Sequence, residues 1–205
     1  MQMKWMLAAF AALGITASSG TLAYAQIDIG ANFYRTFTAS SSGHGTVQTP
    51  ADGTGGMIEA RDIFKPLFGV ELTYSLNPAD QTLAPKAGSC GLICANQPTT
   101  ISAYAHEISG DWIVSEKRGH LRPFGLVGIG FFITQPTSNQ YDLNTNVRPV
   151  YVFGGGTDWA LNPRFGLRFQ FRDNLYKAPQ VSGLFNPTGA FTQSAEPMAG
   201  LYFRP

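Results

Sequence analysis

Charged side chains are scarce in this sequence. Only 13% of the residues are Asp, Glu, Lys or Arg, about half the share of a typical soluble domain. The 14 cations and 13 acids almost cancel, so no basic excess points to a nucleic-acid partner. Aromatic residues make up a further 13%, and the chain holds 23 glycines. This composition favours a β protein.

Long hydrophobic runs are also missing. The longest, at 5–15, is shorter than the roughly 20 residues that a membrane helix needs, and it is followed by Ala23-Tyr24-Ala25, a small-x-small cleavage pattern. Residues 1–25 are therefore predicted to be a cleaved signal peptide. The exported remainder, 26–205, suits one domain. Loss of Lys4 leaves it without net charge.

Cysteine is limited to Cys90 and Cys94. An even number of cysteines in an exported protein favours a disulfide between them, and the bond would close a small ring in a loop.

The chain also has only three histidines, and no spacing among His44, His106 and His120 resembles a metal site. We therefore expect neither a metal nor a cofactor.

The most informative stretch is 165–176, in which large apolar residues occupy every second position. Phe165, Leu167, Phe169 and Phe171 alternate with polar residues. Successive side chains of a strand point to opposite faces, so this segment has one apolar and one polar face. Such a strand belongs either to the core of a soluble sandwich or barrel or to the lipid-facing wall of a membrane barrel.

The same alternation predicts eight strands, at 26–37, 56–64, 68–75, 101–115, 123–134, 149–161, 165–176 and 197–205. Long polar loops and short turns alternate between them. The long loops are 38–55, 76–100, 135–148 and 177–196, and the short turns are 65–67, 116–122 and 162–164. Outer-membrane barrels have this arrangement, with short turns at the periplasmic end and long loops outside.

Aromatic residues near the strand ends match the girdles that such barrels place at the membrane interfaces, namely Tyr74, Trp112, Phe132, Trp159 and Tyr176. We therefore expect an all-β fold, an eight-stranded antiparallel up-and-down transmembrane barrel in the cell outer membrane. The alternative is a periplasmic, lipocalin-like barrel, which would place these aromatics inside and the charges outside.

The chain resembles the small outer-membrane β-barrel family that includes the OmpA transmembrane domain, OmpX-like proteins and acidobacterial barrels of this type. The resemblance covers essentially all of 26–205 and lies in the order and spacing of four motifs, at 55–61, 68–74, 122–130 and 165–172. Such barrels typically end in an aromatic residue read by the insertion machinery. This chain instead ends in Phe203-Arg204-Pro205.

Charges on the polar faces must point inward, because charges on the lipid-facing wall are costly. An eight-stranded barrel has room inside only for side chains, so acids and arginines there should pair. We favour a structural salt-bridge plug over a narrow polar pathway or gate, and we expect the inward glycines Gly128, Gly130, Gly154 and Gly156 to serve strand packing. The predicted charged network consists of Glu59, Arg61, Glu71, Glu107, Asp111, Asp158, Arg168 and Arg172.

A catalytic set is weakly indicated. Some eight-stranded outer-membrane barrels modify lipid A with a His, a Ser and an acid near the outer rim, and His44 follows 40–42, which are all Ser, with Asp52 in the same loop. A flexible polar loop does not ensure hydrogen-bond geometry. His106 and Glu107 are adjacent on a strand and point to opposite faces. We therefore expect no enzyme, and lipid A modification is the less favoured alternative.

The predicted function is a structural or surface-interaction role. The protein would lie as a monomer in the lipid bilayer, reach it through the barrel-insertion machinery and present four loops to an unknown extracellular ligand. The main alternative is a narrow pore or transporter for small solutes, although open aqueous channels generally need more strands.

Overall fold

A computed structural model of the protein describes residues 26–64, 67–86, 97–137, 143, 145–183 and 185–205. The predicted signal peptide and both cysteines lie outside these residues. No helix in the described part is long and apolar enough to cross a membrane.

Twelve strands are described, and every pairing between them is antiparallel. They are β1 (Gln26–Thr38), β2 (Ser41–Gly43), β3 (Thr46–Pro50), β4 (Gly53–Ile63), β5 (Phe68–Pro78), β6 (Gln81–Pro85), β7 (Thr99–Ile101), β8 (Ala103–Ser115), β9 (Leu121–Pro136), β10 (Asn146–Ala160), β11 (Phe165–Lys177) and β12 (Phe191–Phe203).

Eight of these strands close into a barrel in the order β1-β12-β11-β10-β9-β8-β5-β4. The first strand closes the ring by pairing on one side with β12 and on the other with β4. Short connections join strands at one end of the barrel and long segments join them at the other, as in outer-membrane barrels, whose short turns are periplasmic. The predicted fold class is confirmed.

The two faces of each barrel strand differ sharply in burial. Phe33, Trp112 and Leu201 are each at least 60% exposed on the outer wall, whereas Arg168 and Arg172 are fully enclosed. The barrel is therefore apolar outside and largely polar inside, apart from an inward apolar cluster that includes Ile113, Leu126 and Val152. This is the reverse of a lipocalin-like barrel.

The predicted position on the outer wall is wrong for two of the five girdle aromatics. Tyr74, Trp112 and Trp159 lie on the outer wall, but Phe132 and Tyr176 point into the lumen, where their rings stack with centroids 4.2 Å apart. The reason is strand parity. Phe132 follows the outward Phe131, so its own side chain must point inward.

The last barrel strand begins earlier than predicted. It starts at Phe191 instead of Pro197, and its first six residues pair with β11 from Lys177 to Arg172. Small and polar side chains mask the period of two in this stretch. Pro197 interrupts it further, although a proline can occupy a strand where no ladder hydrogen bond is required of it.

The predicted long loops are also partly wrong, because they contain a second sheet in the order β2-β3-β6-β7. His44 and Gly45, both at positive φ, form the two-residue turn between β2 and β3, as hairpin turns of this length require. Beneath the sheet, Leu83 and Ile101 pack against Val181 and Phe185. Residues 178–183 and 185–190 supply the last two, and we call them the strap.

Candidate functional site: the charged barrel interior

Three arginines dominate the middle of the lumen. Arg61 comes from β4, and Arg168 and Arg172 come from β11. These two strands are separated around the barrel by β1 and β12. All three side chains are completely enclosed. A buried guanidinium is tolerated only when carboxylates and further hydrogen bonds surround it.

Arg168 is held by two acids. Its Nε and Nη2 donate to the two carboxylate oxygens of Asp158 at 2.6 and 2.9 Å, and its Nη1 donates to Glu59. Asp158 lies directly opposite Arg168 in the β10–β11 register, so the sheet itself positions this pair. A bidentate guanidinium–carboxylate contact is strong and directional.

Arg61 connects the two sides of the lumen. It pairs with its register partner Glu71, which accepts from Nε at 2.7 Å, and it reaches across to Asp158 at 3.2 Å. Its guanidinium also lies 4.1 Å from the ring centroid of Phe124. Gly156 leaves room for that ring, because a Cβ there would come within 2.9 Å of it.

Arg172 forms the upper part of the network, nearer the long loops. It donates to Asp111 at 2.9 Å and to the Ser109 hydroxyl at 2.7 Å, and it lies 3.5 Å from both Glu71 and Glu107. Gly128 leaves the space that the Asp111 carboxylate occupies. With these contacts, the structure brings all eight predicted interior residues into one connected cluster.

Sequence reasoning missed two charged residues at the periplasmic end. Arg204 Nε and Nη2 donate to the carboxylate of Asp28 at 2.7 and 3.1 Å, and Asp28 is fully buried. Arg204 lies outside the membrane-spanning strands. Burial lowers its pKa, but the hydrogen bond to Asp28 and the charge of that carboxylate raise it more, so the net pKa is above its ordinary value. Strand alternation could have found Asp28, which lies between the outward Ile27 and Ile29.

A third missed residue is Glu196 on β12, which is 5% exposed and points inward. The sequence prediction ended the fourth long loop at this position. Glu196 faces a small cavity at the outer end of the lumen, where the strands meet the connection between β3 and β4.

The residues of the weak catalytic pattern are not brought together. His44 Nδ1 lies 3.0 Å from the Pro187 carbonyl oxygen, and Asp52 lies 3.8 Å from the exposed Arg35. Ser41 hydrogen-bonds to Thr188 of the strap. These contacts tie the hairpin to the strap and align no serine with the histidine.

The remaining histidines show no metal-site geometry. His106 Nδ1 lies 2.9 Å from the Tyr74 hydroxyl on the outer wall, on the face opposite the inward Glu107. Across the part of the chain that the structure describes, no group of three or more His, Cys, Asp and Glu side chains could hold a metal ion.

Several solved outer-membrane proteins are similar to this chain. Neisserial surface protein A has a TM-score of 0.59 at 15% identity, covering 87% of this chain and 97% of that one. Ail of Yersinia pestis, in complex with the heparin analogue sucrose octasulfate, has 0.55 at 10%, covering 88% and 99%. OprG of Pseudomonas aeruginosa has 0.51 at 15%, covering 88% and 96%. No protein-family model matches the sequence, and no curated protein matches it.

The chain therefore has the fold of the small eight-stranded outer-membrane β-barrels, and the predicted resemblance is confirmed at the level of the fold. Its wall of exposed apolar residues is stable in lipid and costly in water. The predicted location in the outer membrane follows from this fold and this wall.

Proposed function

We propose that the protein is a non-conducting outer-membrane barrel that displays its outer segments as a folded binding surface. The charged network in the lumen carries this proposal. Arg61, Arg168 and Arg172 have no exposed side-chain surface, and their contacts connect opposite walls of the barrel. An ion would have to break several charge-assisted hydrogen bonds in order to pass.

The outer mouth supports the same proposal. Gln48 of β3 donates to Gln81 of β6 and to the Pro179 carbonyl of the strap, both at 3.0 Å. The apolar cluster of Leu83, Ile101, Val181 and Phe185 packs the strap against the second sheet. A surface that is already folded loses less conformational entropy when it binds a partner than a set of flexible loops does.

The charge of this surface restricts the kind of partner. The outer segments 39–52, 79–102, 137–145 and 178–190 contain one lysine and three aspartates. The Ail structure contains a heparin analogue, which is a polyanion. Arg35 and Lys177 are exposed at the same end of the barrel and offset two of these acids, so the surface is close to neutral. A surface without a large excess of cations does not attract polyanions, so we propose an uncharged partner for this chain.

Conductance distinguishes this proposal from the pore alternative. Refolded full-length protein, its folding verified by a shift in gel mobility on heating, is inserted into planar lipid bilayers. We expect no discrete current steps. An Arg172→Ala/Asp111→Ala double variant removes one buried pair and opens space in the upper lumen, so it shows whether the assay detects a widened lumen.

Discrete steps from the unchanged protein, at the frequency of the double variant or above, would contradict the non-conducting barrel. Steps from the double variant alone would support it. If neither protein conducts, the lumen remains closed after one pair is removed, as expected of a network with the further contacts of Arg61 and Arg168.

A further inference from the structure

Glu196 differs from the other carboxylates of the barrel interior. Seven acids are buried in the described part of the chain. Six have an arginine nitrogen within 4 Å, and Glu196 alone has neither an arginine nor a lysine nitrogen within that distance. A buried carboxylate without a nearby cation is costly unless something compensates its charge.

The nearest cation in the sheet register is directed elsewhere. Arg172 lies directly opposite Glu196 in the β11–β12 pairing, and residues so placed have Cβ atoms about 4.5–5.5 Å apart. The guanidinium nevertheless extends across the lumen to Asp111 and Ser109 on β8. Glu196 therefore faces the cavity above the network.

This cavity has a mostly oxygen-bearing lining. Its roof is formed by Pro50 and Ala51, at the connection between β3 and β4, and its volume suits about one water-sized occupant. Ala79 and Phe132 also line it. The polar side chains around it come from five strands and are Thr36, Thr38, Asn77, Gln81, Tyr176, Ser194 and Glu196.

The hydroxyl groups are oriented toward the carboxylate. Thr38 Oγ1 donates to Ser194 Oγ at 3.1 Å, and Ser194 Oγ donates to Glu196 Oε1 at 3.4 Å. An ionised carboxylate only accepts hydrogen bonds. The two hydroxyl groups therefore place further oxygens beside the carboxylate, and the Ser194 hydroxyl stabilises its charged form by donating to it.

We propose that the cavity binds one alkali cation, Na⁺ or K⁺, with Glu196 as the charged ligand and neighbouring hydroxyl and amide oxygens as neutral ligands. Hard cations prefer oxygen ligands. A single carboxylate balances a single positive charge, and the described residues place no second or third acid in the lining that a divalent ion would favour. This site does not depend on whether the barrel conducts or on what its outer surface binds.

The test compares thermal unfolding in different salts at equal ionic strength. Full-length protein in lipid vesicles is heated in NaCl, in KCl and in N-methyl-D-glucamine chloride, whose cation is too large for the cavity. Binding to the folded state alone raises the melting temperature, and we expect Na⁺ or K⁺ to raise it by about 2–4 °C over the organic cation.

Glu196→Gln keeps the shape of the side chain and removes its charge, so the difference between salts should disappear. Glu116→Gln, in an exposed turn, is the control and should keep it. Equal melting temperatures of the unchanged protein in all three salts would overturn the proposal, as would a difference that persists in Glu196→Gln.

Crystals of the unchanged protein soaked in RbCl give an independent reading that does not need a folded variant. We expect an anomalous peak in the cavity beside Glu196. A peak elsewhere in the barrel, or no peak, would overturn the assignment.

Discussion

Replacing Arg168 tests whether the buried network holds the barrel together. Arg168→Met keeps much of the side-chain volume and removes the charge. It deprives Asp158 of a bidentate partner at 2.6 and 2.9 Å, and it deprives Glu59 of its only hydrogen-bonded partner among the described residues. Asp158 keeps Arg61 at 3.2 Å, so Glu59 is the acid that suffers most.

Breaking a buried ion pair by removing one partner typically costs about 3–5 kcal/mol, because the other charge stays buried and unpaired. We therefore expect Arg168→Met to lower the free energy of unfolding by about that amount. The assay is urea unfolding in lipid vesicles, in which the folded fraction is measured by gel mobility without heating.

The matched control is Arg118→Met. Arg118 also pairs with an acid, Glu116, at 2.7 Å, but the two side chains are 70% and 56% exposed, and exposed pairs contribute little. A double variant, Arg168→Met/Glu59→Gln, removes the orphaned charge and should recover part of the loss. Equal effects of Arg168→Met and Arg118→Met, or no recovery in the double variant, would refute the reasoning.

Three further changes test the wall, the outer surface and the loop cysteines. Phe169→Arg places a charge on the lipid-facing wall and should lower the free energy of unfolding by about 2–4 kcal/mol if the position lies near the bilayer midplane. Gln170→Leu changes an inward side chain and should lower it far less. Similar losses for the two variants in urea unfolding would mean that the two faces are wrongly assigned. Gly43→Ala places a Cβ against the backbone of the strap, so proteolysis of the strap should increase while the melting temperature of the barrel is unchanged. Gly183→Ala is the control, because a Cβ there meets nothing within 4 Å. Equal protease resistance of the two variants would argue against a packed strap. If Cys90 and Cys94 form a disulfide, exported and unreduced protein should contain no free thiol. Reduction should leave the barrel folded, because so short a ring contributes little stability. Reaction of the unreduced protein with a thiol-specific label would exclude the disulfide.

The sequence alone determined the barrel and its two faces. Strict alternation on segments such as 165–176 leaves only two assignments of inside and outside, and the cost of charge in lipid selects one of them. The alternation of long and short connections then set the orientation of the strands. The same parity could have placed Phe132 correctly, because it follows the outward Phe131.

Only the tertiary structure decided which charges meet. Asp158 and Arg168 are register partners, but the contact between Arg61 and Asp158 crosses the lumen between β4 and β10, and no local pattern encodes that distance. Glu196 was missed because small residues and Pro197 hide the start of its strand. The second sheet was missed because its strands are three to five residues long and gain stability from contacts with the strap, which is distant in sequence.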